Sequence, residues 1–243
     1  MEQTFHTERT LIGQGKMAKV YLWNGFAYKC FNSDYPNDWI DYEIRIQNTI
    51  SKTGLPTVNY YESEIPHSIK MDFIDGTTLG ERIRHEKYKD GLEDLLLLFS
   101  QIHKIKNIDL PSLNPFLTRE INKLNVDDSM KQLATGYIGD IKDENTLCHL
   151  DYHFLNLMYS HDRYYIIDWI NSKIGNPIYD YARTYVILYE FANIFSKKYL
   201  NTIKEQCKFN LSDLKKAIYV MSLHRLSEYN SEKVRKLISE ISI

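Results

Sequence analysis

No run of 18 apolar residues occurs anywhere in the chain, so the sequence offers no membrane-spanning helix. Its opening stretch, MEQTFHTERT, lacks the apolar segment of a secretory leader. Cysteine is scarce. The three present, Cys30, Cys148 and Cys207, are odd in number, widely spaced and never in a C-x-x-C arrangement. That argues against a disulfide framework or a cysteine zinc site, and it fits a reducing cytoplasm. Charge of either sign is not in excess: 30 Lys and Arg against 32 Asp and Glu give a net charge of −2. A dedicated nucleic-acid binder carries a basic field, and this chain has none. No long repeat and no low-complexity tract is visible. The expectation is a cytoplasmic protein with no nucleic acid, no membrane and no obligate protein partner.

What is present is material for a core. The 243 residues suffice for one large domain or two small lobes. Apolar residues at 43%, charged at 26% and aromatics at 13% lie in the globular range and argue against disorder. Two β-rich runs, Val20 to Trp23 and Phe26 to Phe31, are separated only by Asn24-Gly25, a strong hairpin signal because both residues tolerate φ > 0. Residues 38–52 read as a helix with Trp39, Ile46 and Ile50 as its stripe, stopped by Gly54-Leu55-Pro56. Residues 57–61 and 68–73 read as strands, and Asp75-Gly76 marks a break. Beyond it the pattern is mostly helical: 92–105, 115–135, 179–199, 211–228 and 231–241. Two short strand-like runs, 155–159 and 164–167, interrupt it, with a turn at 160–163. Asn210 or Ser212 could cap the second of the last three helices, and Ser231 the third.

Four constellations follow one another along the chain. Gly13-x-Gly15-x-x-Ala18-x-Val20 runs into the hairpin, and glycine there lets backbone N–H groups approach a phosphate. Lys29 shares a strand face with Ala27 and Phe31, so it points inward and needs an anionic partner. Glu43 lies on or beside the apolar stripe of the following helix, where a carboxylate needs a cation, and Lys29 is the natural one. Taken singly, these three have plainer readings: a turn, a solvated strand lysine and a rim glutamate. The fourth is more specific. His149-x-Asp151-x-x-x-x-Asn156 is followed, twelve residues after the Asn, by Asp168 at the end of an apolar strand. Asp151 can accept or orient a hydroxyl proton, while Asn156 and Asp168 are hard oxygen donors suited to Mg²⁺. A phosphate cradle, a lysine, a metal site and a carboxylate at the nucleophile are the parts that phosphoryl transfer requires.

The set resembles the aminoglycoside phosphotransferase family of small-molecule kinases, in the protein-kinase-like superfamily. That family's pattern reads His-Gly-Asp-x-His-Pro-x-Asn, then Ile-Asp-Trp, then Gly-Asp-Pro-x-x-Asp-x-Ala-Arg-Thr. Here the matching stretches are His149-Leu150-Asp151-Tyr152-His153-Phe154-Leu155-Asn156, then Ile167-Asp168-Trp169. Gly175-Asn176-Pro177-Ile178-Tyr179-Asp180-Tyr181-Ala182-Arg183-Thr184 completes the series. Met71 to Leu79 is similar to the family's hinge, and Leu98-x-x-x-Ile102-His103 to one of its helices. Leu150 and Phe154 replace a usual Gly and Pro, Asn176 replaces Asp, and Ala18 replaces the third glycine of the phosphate loop. None of these removes a group that the chemistry needs.

The resemblance implies an α+β fold with two kinase-like lobes. The first, 1–74, would be an antiparallel sheet with one helix that binds the nucleotide. The second, 75–243, would be mainly helical and carry the catalytic loop, metal and acceptor sites. ATP, or GTP, with Mg²⁺ is the implied cofactor. Gly13, Gly15, Lys29 and Glu43 would serve its phosphates, and the backbone at Asp72 and Ile74 its base. Asn156 and Asp168 would hold the metal, and Asp151 would orient or deprotonate a hydroxyl of a small molecule. Asp180 would brace the catalytic loop, His149 would be structural and His103 a packing residue. A protein kinase is disfavoured, because only eleven residues separate Asp168 from Asp180 and no Ala-Pro-Glu follows. A nucleotide-binding module without catalysis is the other rival, yet the Lys, Asp and Asn are all intact. The acceptor is expected against the C-terminal helices. Residues 190–243 hold ten Lys or Arg and six Asp or Glu, a poor setting for a polycation unless Glu190 or Glu228 lines the site.

Overall fold

A computed structural model describes residues 2–207 and 209–241. Along the chain come α1 (Glu2–Glu8), β1 (Thr10–Gln14), β2 (Ala18–Trp23), β3 (Phe26–Phe31), α2 (Asn37–Ile50), β4 (Tyr60–Tyr61), β5 (Ser68–Asp72), β6 (Thr77–Thr78) and α3 (Leu79–His85). Then follow α4 (Gly91–Ile102), α5 (Leu113–Asn122), α6 (Asp128–Asp140), β7 (Thr146–Cys148), β8 (Leu157–Ser160), β9 (Arg163–Ile166) and β10 (Lys173–Gly175). The chain closes with α7 (Ile178–Phe191), α8 (Asn193–Gln206), α9 (Leu211–Glu228) and α10 (Glu232–Ile241). Two compact units result: Met1–Tyr88 with Leu155–Ile170, and Lys89–Phe154 with Asn171–Ile243. The first therefore takes α3 and the β8–β9 hairpin in addition to 1–74, where the sequence reading placed a single cut. The physical reason is strand pairing: Thr77 opposes Tyr159 and Thr78 opposes Met158, so β6 joins β8 and β9 in one small sheet. Gly76 permits this approach, since a Cβ there would run into the Tyr159 carbonyl.

The first unit is built on a five-stranded antiparallel sheet in the order β1-β2-β3-β5-β4. Asn24 (φ 48°) and Gly25 (φ 79°) make the tight turn that the dipeptide promised, and Trp23 pairs with Phe26 across it. Strand alternation gives the sheet two apolar faces. Trp23, Tyr28 and Ile65 cluster on one side with Phe5 of α1, a helix the sequence reading did not foresee. Ala18, Phe31 and Ile69 cluster on the other with Ile40 of α2. Ile46 and Ile50 of the expected α2 stripe are buried, but Ile40 takes the place expected of Trp39. Trp39 is 54% exposed. The buried set is Ile40, Glu43, Ile46, Gln47 and Ile50. Gly54, at φ 79°, ends this segment in the left-handed region that favours glycine.

The second unit is mainly helical, with β7 and β10 as a short antiparallel pair. Its centre is α7, which is apolar or buried nearly all round and packs on α8 and α9. Two expected helices are each two. The 115–135 segment divides into α5 and α6. The 179–199 segment breaks at Ala192, whose backbone (φ −144°, ψ 59°) leaves the helical region, and its N–H closes α7 on the Leu188 carbonyl. Asn210 is the cap of α9, its Oδ1 accepting the Ser212 N–H at 2.8 Å. All three cysteines are free thiols. No helix among the described residues is long and apolar enough to cross a membrane.

Candidate functional site

The first unit gathers Lys29, Glu43, Asn156 and Asp168. Strand alternation turns Lys29 toward α2, and its Nζ donates to Glu43 Oε1 at 2.7 Å. Glu43 is 2% exposed, so its charge depends on that ammonium and on the Tyr60 hydroxyl, which donates to the same oxygen at 3.0 Å. Asp168 Oδ1 lies 3.7 Å from Lys29 Nζ, too far for a hydrogen bond, and it is buried without a hydrogen-bond partner. Burial works against the Lys29 charge, but Asp168 and then Glu43 more than offset it and hold the ammonium above the ordinary lysine range. Tyr60, buried beside the Glu43 carboxylate, is driven well above the usual tyrosine range and stays a neutral donor.

The segment that carries Asp168 is tied to this unit by neutral hydrogen bonds. Ile166 N–H donates to the Pro56 carbonyl at 2.7 Å. Trp169 Nε1 donates to Thr57 Oγ1 at 3.1 Å, and Gln47 Nε2 of α2 donates to the same hydroxyl at 2.8 Å. Asp168 itself has φ 64°, a left-handed conformation that costs a non-glycine residue roughly 1–2 kcal/mol. Backbone strain at such a position is commonly found where a side chain is aimed for function. Tyr60, Gln47 and Thr57 were not singled out in the sequence. Gln47 was within reach of that reading, since it sits one helical turn after Glu43 on the buried stripe.

Asn156, 8% exposed, accepts the Ile167 N–H on its backbone carbonyl at 3.0 Å, so the two oxygen donors Asn156 and Asp168 lie at the open end of the β8–β9 hairpin. Among the described residues no group of three or more His, Cys, Asp or Glu is placed to cage a metal. An amide oxygen and a carboxylate with one orphaned oxygen fit Mg²⁺, which keeps its waters and takes phosphate oxygens alongside one or two protein ligands.

Gly13 and Gly15 lie at the tip of the β1–β2 hairpin, Gly13 opposite Val20, with Gly15 N–H donating to the Ala18 carbonyl at 2.9 Å. A Cβ at Gly13 would come no closer than 3.5 Å to Val20, and one at Gly15 no closer than 3.7 Å to the Ala18 carbonyl. The protein's own packing would leave room for a Cβ at either place. The hinge divides unequally. Asp72 is spent on the neighbouring chain: Oδ2 accepts the N–H and Nδ2 of Asn59, both at 2.8 Å, and Oδ1 accepts the Tyr61 hydroxyl at 2.7 Å. Its N–H also donates to the Asn59 carbonyl at 3.1 Å. Ile74 lies outside any strand.

Asp151 belongs to the second unit, on the loop after β7. Asp180, wholly buried on α7, fastens that loop: Oδ2 accepts the His149 N–H and Oδ1 the Leu150 N–H, both at 2.8 Å. His103 stands 3.0 Å from Asp180 Oδ2 and is stacked on Phe99, so it belongs to the brace and is more than a packing residue. His149 is buried, and its Nδ1 accepts the Asp151 N–H at 3.3 Å. Thr184 Oγ1 donates to the Tyr152 carbonyl at 2.7 Å, and Arg183 Nε to the Leu150 carbonyl at 3.1 Å. Leu150 has φ 63°. The conformation explains why glycine is usual at that place in the motif. His153 Nε2 lies 3.8 Å from Asp151 Oδ1.

The model of a phosphotransferase enzyme family, APH, matches residues 40–206, and the chain belongs to that family. No curated protein matches the sequence. Its fold is similar to that of a thermostable mutant of aminoglycoside phosphotransferase APH(4)-Ia, at 12% identity over 100% of this chain and 97% of the other, TM-score 0.70. A choline/ethanolamine kinase family protein from Mesorhizobium loti matches at 13% identity over 96% and 85%, TM-score 0.65. Choline kinase LicA from Streptococcus pneumoniae matches at 15% over 99% and 95%, TM-score 0.63. APH(4)-Ia is also known in a ternary complex with AMP-PNP and hygromycin B, and LicA in complex with AMP. At such identities these likenesses show the kinase-like fold.

Proposed function

We propose that this member of the phosphotransferase enzyme family moves the γ-phosphoryl group of ATP, with Mg²⁺, onto a hydroxyl of a small molecule. The observation that carries the reading is the setting of Lys29. Its ammonium is held 2.7 Å from Glu43 and 3.7 Å from an Asp168 oxygen that has no hydrogen-bond partner. Such an arrangement aims one cation and one free carboxylate oxygen at the same place, as an α/β-phosphate and its metal require. The nucleotides in the neighbours' complexes support it.

In this reading the hairpin tip at Gly13 and Gly15 admits the phosphates to backbone N–H groups. Ile74 offers its backbone to the base, and Asn156 and Asp168 hold the metal. When bound, Mg²⁺ spreads the charge on the β- and γ-phosphate oxygens. Asp151 accepts or orients the hydroxyl proton of the acceptor. The acceptor is a molecule of low positive charge. Glu228 accepts from both Arg183 and Arg225, and Glu190 accepts from Arg225, so neither carboxylate is free to receive a polycation.

Calorimetric titration with ATP, with and without Mg²⁺, tests the nucleotide half. Wild type should gain affinity from the metal and Asp168→Ala should lose that gain; equal ATP–Mg²⁺ affinity in the two would displace the metal site. ADP release across a panel of hydroxylated metabolites and antibiotics tests the other half. Tight nucleotide binding with no release for any acceptor would leave a non-catalytic binding module as the better description.

A further inference from the structure

Leu150, the residue before Asp151, is held in the left-handed backbone region by two side chains of α7. Asp180 takes its N–H and Arg183 takes its carbonyl. Arg183 is 1% exposed, so its guanidinium is a buried charge that needs an acid. That acid comes from 45 residues further along. Glu228, at the end of α9, receives Arg183 Nη2 on both oxygens, at 2.8 and 2.6 Å. Glu228 is in turn gripped by Arg225 Nη1 at 2.7 Å, and Arg225 Nε by Glu190 Oε2 of α7 at 2.8 Å. Burial opposes ionisation of Glu228, but the Arg183 charge, joined by the hydrogen bonds from Arg183 and Arg225, holds the carboxyl below the usual glutamate range. The row therefore alternates in sign, Glu190, Arg225, Glu228, Arg183, and ends on the Leu150 carbonyl.

We propose that Arg183 and Glu228 are positioning residues for phosphoryl transfer. Glu228 fixes the Arg183 guanidinium, and the guanidinium holds the strained Leu150 backbone that aims Asp151. The inference rests on the role proposed above for Asp151. It makes the end of α9 a determinant of turnover through a carboxylate that is spent on Arg183 and Arg225. The argument is geometric. A buried guanidinium that loses its carboxylate must either find another anion or turn toward water. Either movement takes Nε away from Leu150, and no other donor among the described residues bonds that carbonyl. A leucine then leaves the left-handed region for an ordinary one, which re-aims the next residue.

Glu228→Gln is the test variant, because the side chain is only partly buried and Gln keeps its shape. On the full chain, with any acceptor that supports ADP release, kcat should fall on the order of 10²-fold, the cost of a small misplacement of a reacting group. KM and the nucleotide Kd should stay within about threefold. Leu150→Gly in the Glu228→Gln background should restore at least about fivefold of the lost kcat, since glycine adopts φ near 60° without a side-chain clash. A merely structural ion cluster would lower the melting temperature of both variants and give no such rescue. Hydrogen exchange of the free protein supplies a readout independent of turnover. Amides of residues 149–152 should exchange at least about tenfold faster in Glu228→Gln than in wild type. Unchanged exchange in that loop, or a kcat within threefold of wild type, would overturn the proposal. Faster exchange in a protein whose wild type releases no ADP with any acceptor would instead refute the assigned activity and leave the positioning intact.

Discussion

Replacing Asp180 should show how much of the catalytic loop's order depends on one carboxylate. Asp180 is wholly buried and accepts two backbone N–H groups at 2.8 Å, with His103 Nε2 at 3.0 Å. In Asp180→Ala the two N–H donors lose their acceptor, and each buried unsatisfied donor costs about 1–3 kcal/mol, giving roughly 4 kcal/mol in all. That is a large part of the 5–15 kcal/mol typical of a domain, so the Ala variant is at risk of not folding. Asp180→Asn is the cleaner probe. Its amide oxygen can serve one N–H, while its NH₂ must face the other donor, so about 2–3 kcal/mol should be lost. For a chain of 243 residues this corresponds to a melting temperature lower by about 4–12 °C. Equilibrium urea unfolding followed by far-ultraviolet circular dichroism, which reads the mainly helical second unit, gives the free energy directly. Nucleotide affinity should be unchanged, since Lys29, Asn156 and Asp168 belong to the other compact unit. A loss below about 0.5 kcal/mol, the scale of an ordinary surface substitution, would refute the claim that this carboxylate fastens the loop.

Asp151→Ala should leave nucleotide binding intact and lower kcat on the order of 10³-fold or more, as expected for losing the group that orients the nucleophile; a rate within tenfold of wild type would remove Asp151 from its role. Burial, and after it the nearby Arg183 charge, pushes the His224 pKa down from 6.5 to about 4. The unfolded chain therefore takes up a proton between those values that the folded one refuses, and stability falls as pH drops. Wild type should lose about 2–3 kcal/mol more than His224→Leu between pH 7 and pH 4.5; parallel pH profiles in thermal melts would contradict it. Kanamycin, neomycin and gentamicin should give little ADP release above the acceptor-free rate at micromolar concentration, and a kcat/KM above about 10⁴ M⁻¹s⁻¹ for any of them would show the charge argument wrong.

Local signals read well from the sequence where the partners are close along the chain or fixed by a period. Asn24-Gly25 needs φ > 0 twice, and the hairpin follows. Lys29 and Glu43 were legible together because strand alternation and helical spacing put both on inward faces only 14 residues apart. The miss at Trp39 has the same origin: a helical stripe read from bulky residues alone gave Trp39, whereas the sheet takes up Ile40 and the two polar residues Glu43 and Gln47. Helix ends were less legible. Ala192 carries no breaking chemistry of its own, yet its backbone leaves the helical region between α7 and α8. The extra strand pair β6–β8 escaped because two-residue strands have no period to detect.

The charge count of the C-terminal segment shows a different kind of blindness. It treats every side chain as solvated and equal. In the folded chain Glu190 and Glu228 are absorbed by Arg225 and by Arg183, and Arg183 lies outside the counted segment. Lys216 is held by Asp140 at 2.8 Å, and Lys198 lies 3.5 Å from Glu93, so cations of the segment are also answered from elsewhere. An arginine in the middle of the apolar helix α7 announces that some acid must come to it, because a lone guanidinium does not stay buried. Nothing in spacing says which acid, since Glu228 reaches Arg183 by tertiary packing across 45 residues. Only carboxylates left over after such internal pairing can attract a ligand. Removing Glu190 and Glu228 from that pool sharpens the expectation that the acceptor is not a polycation.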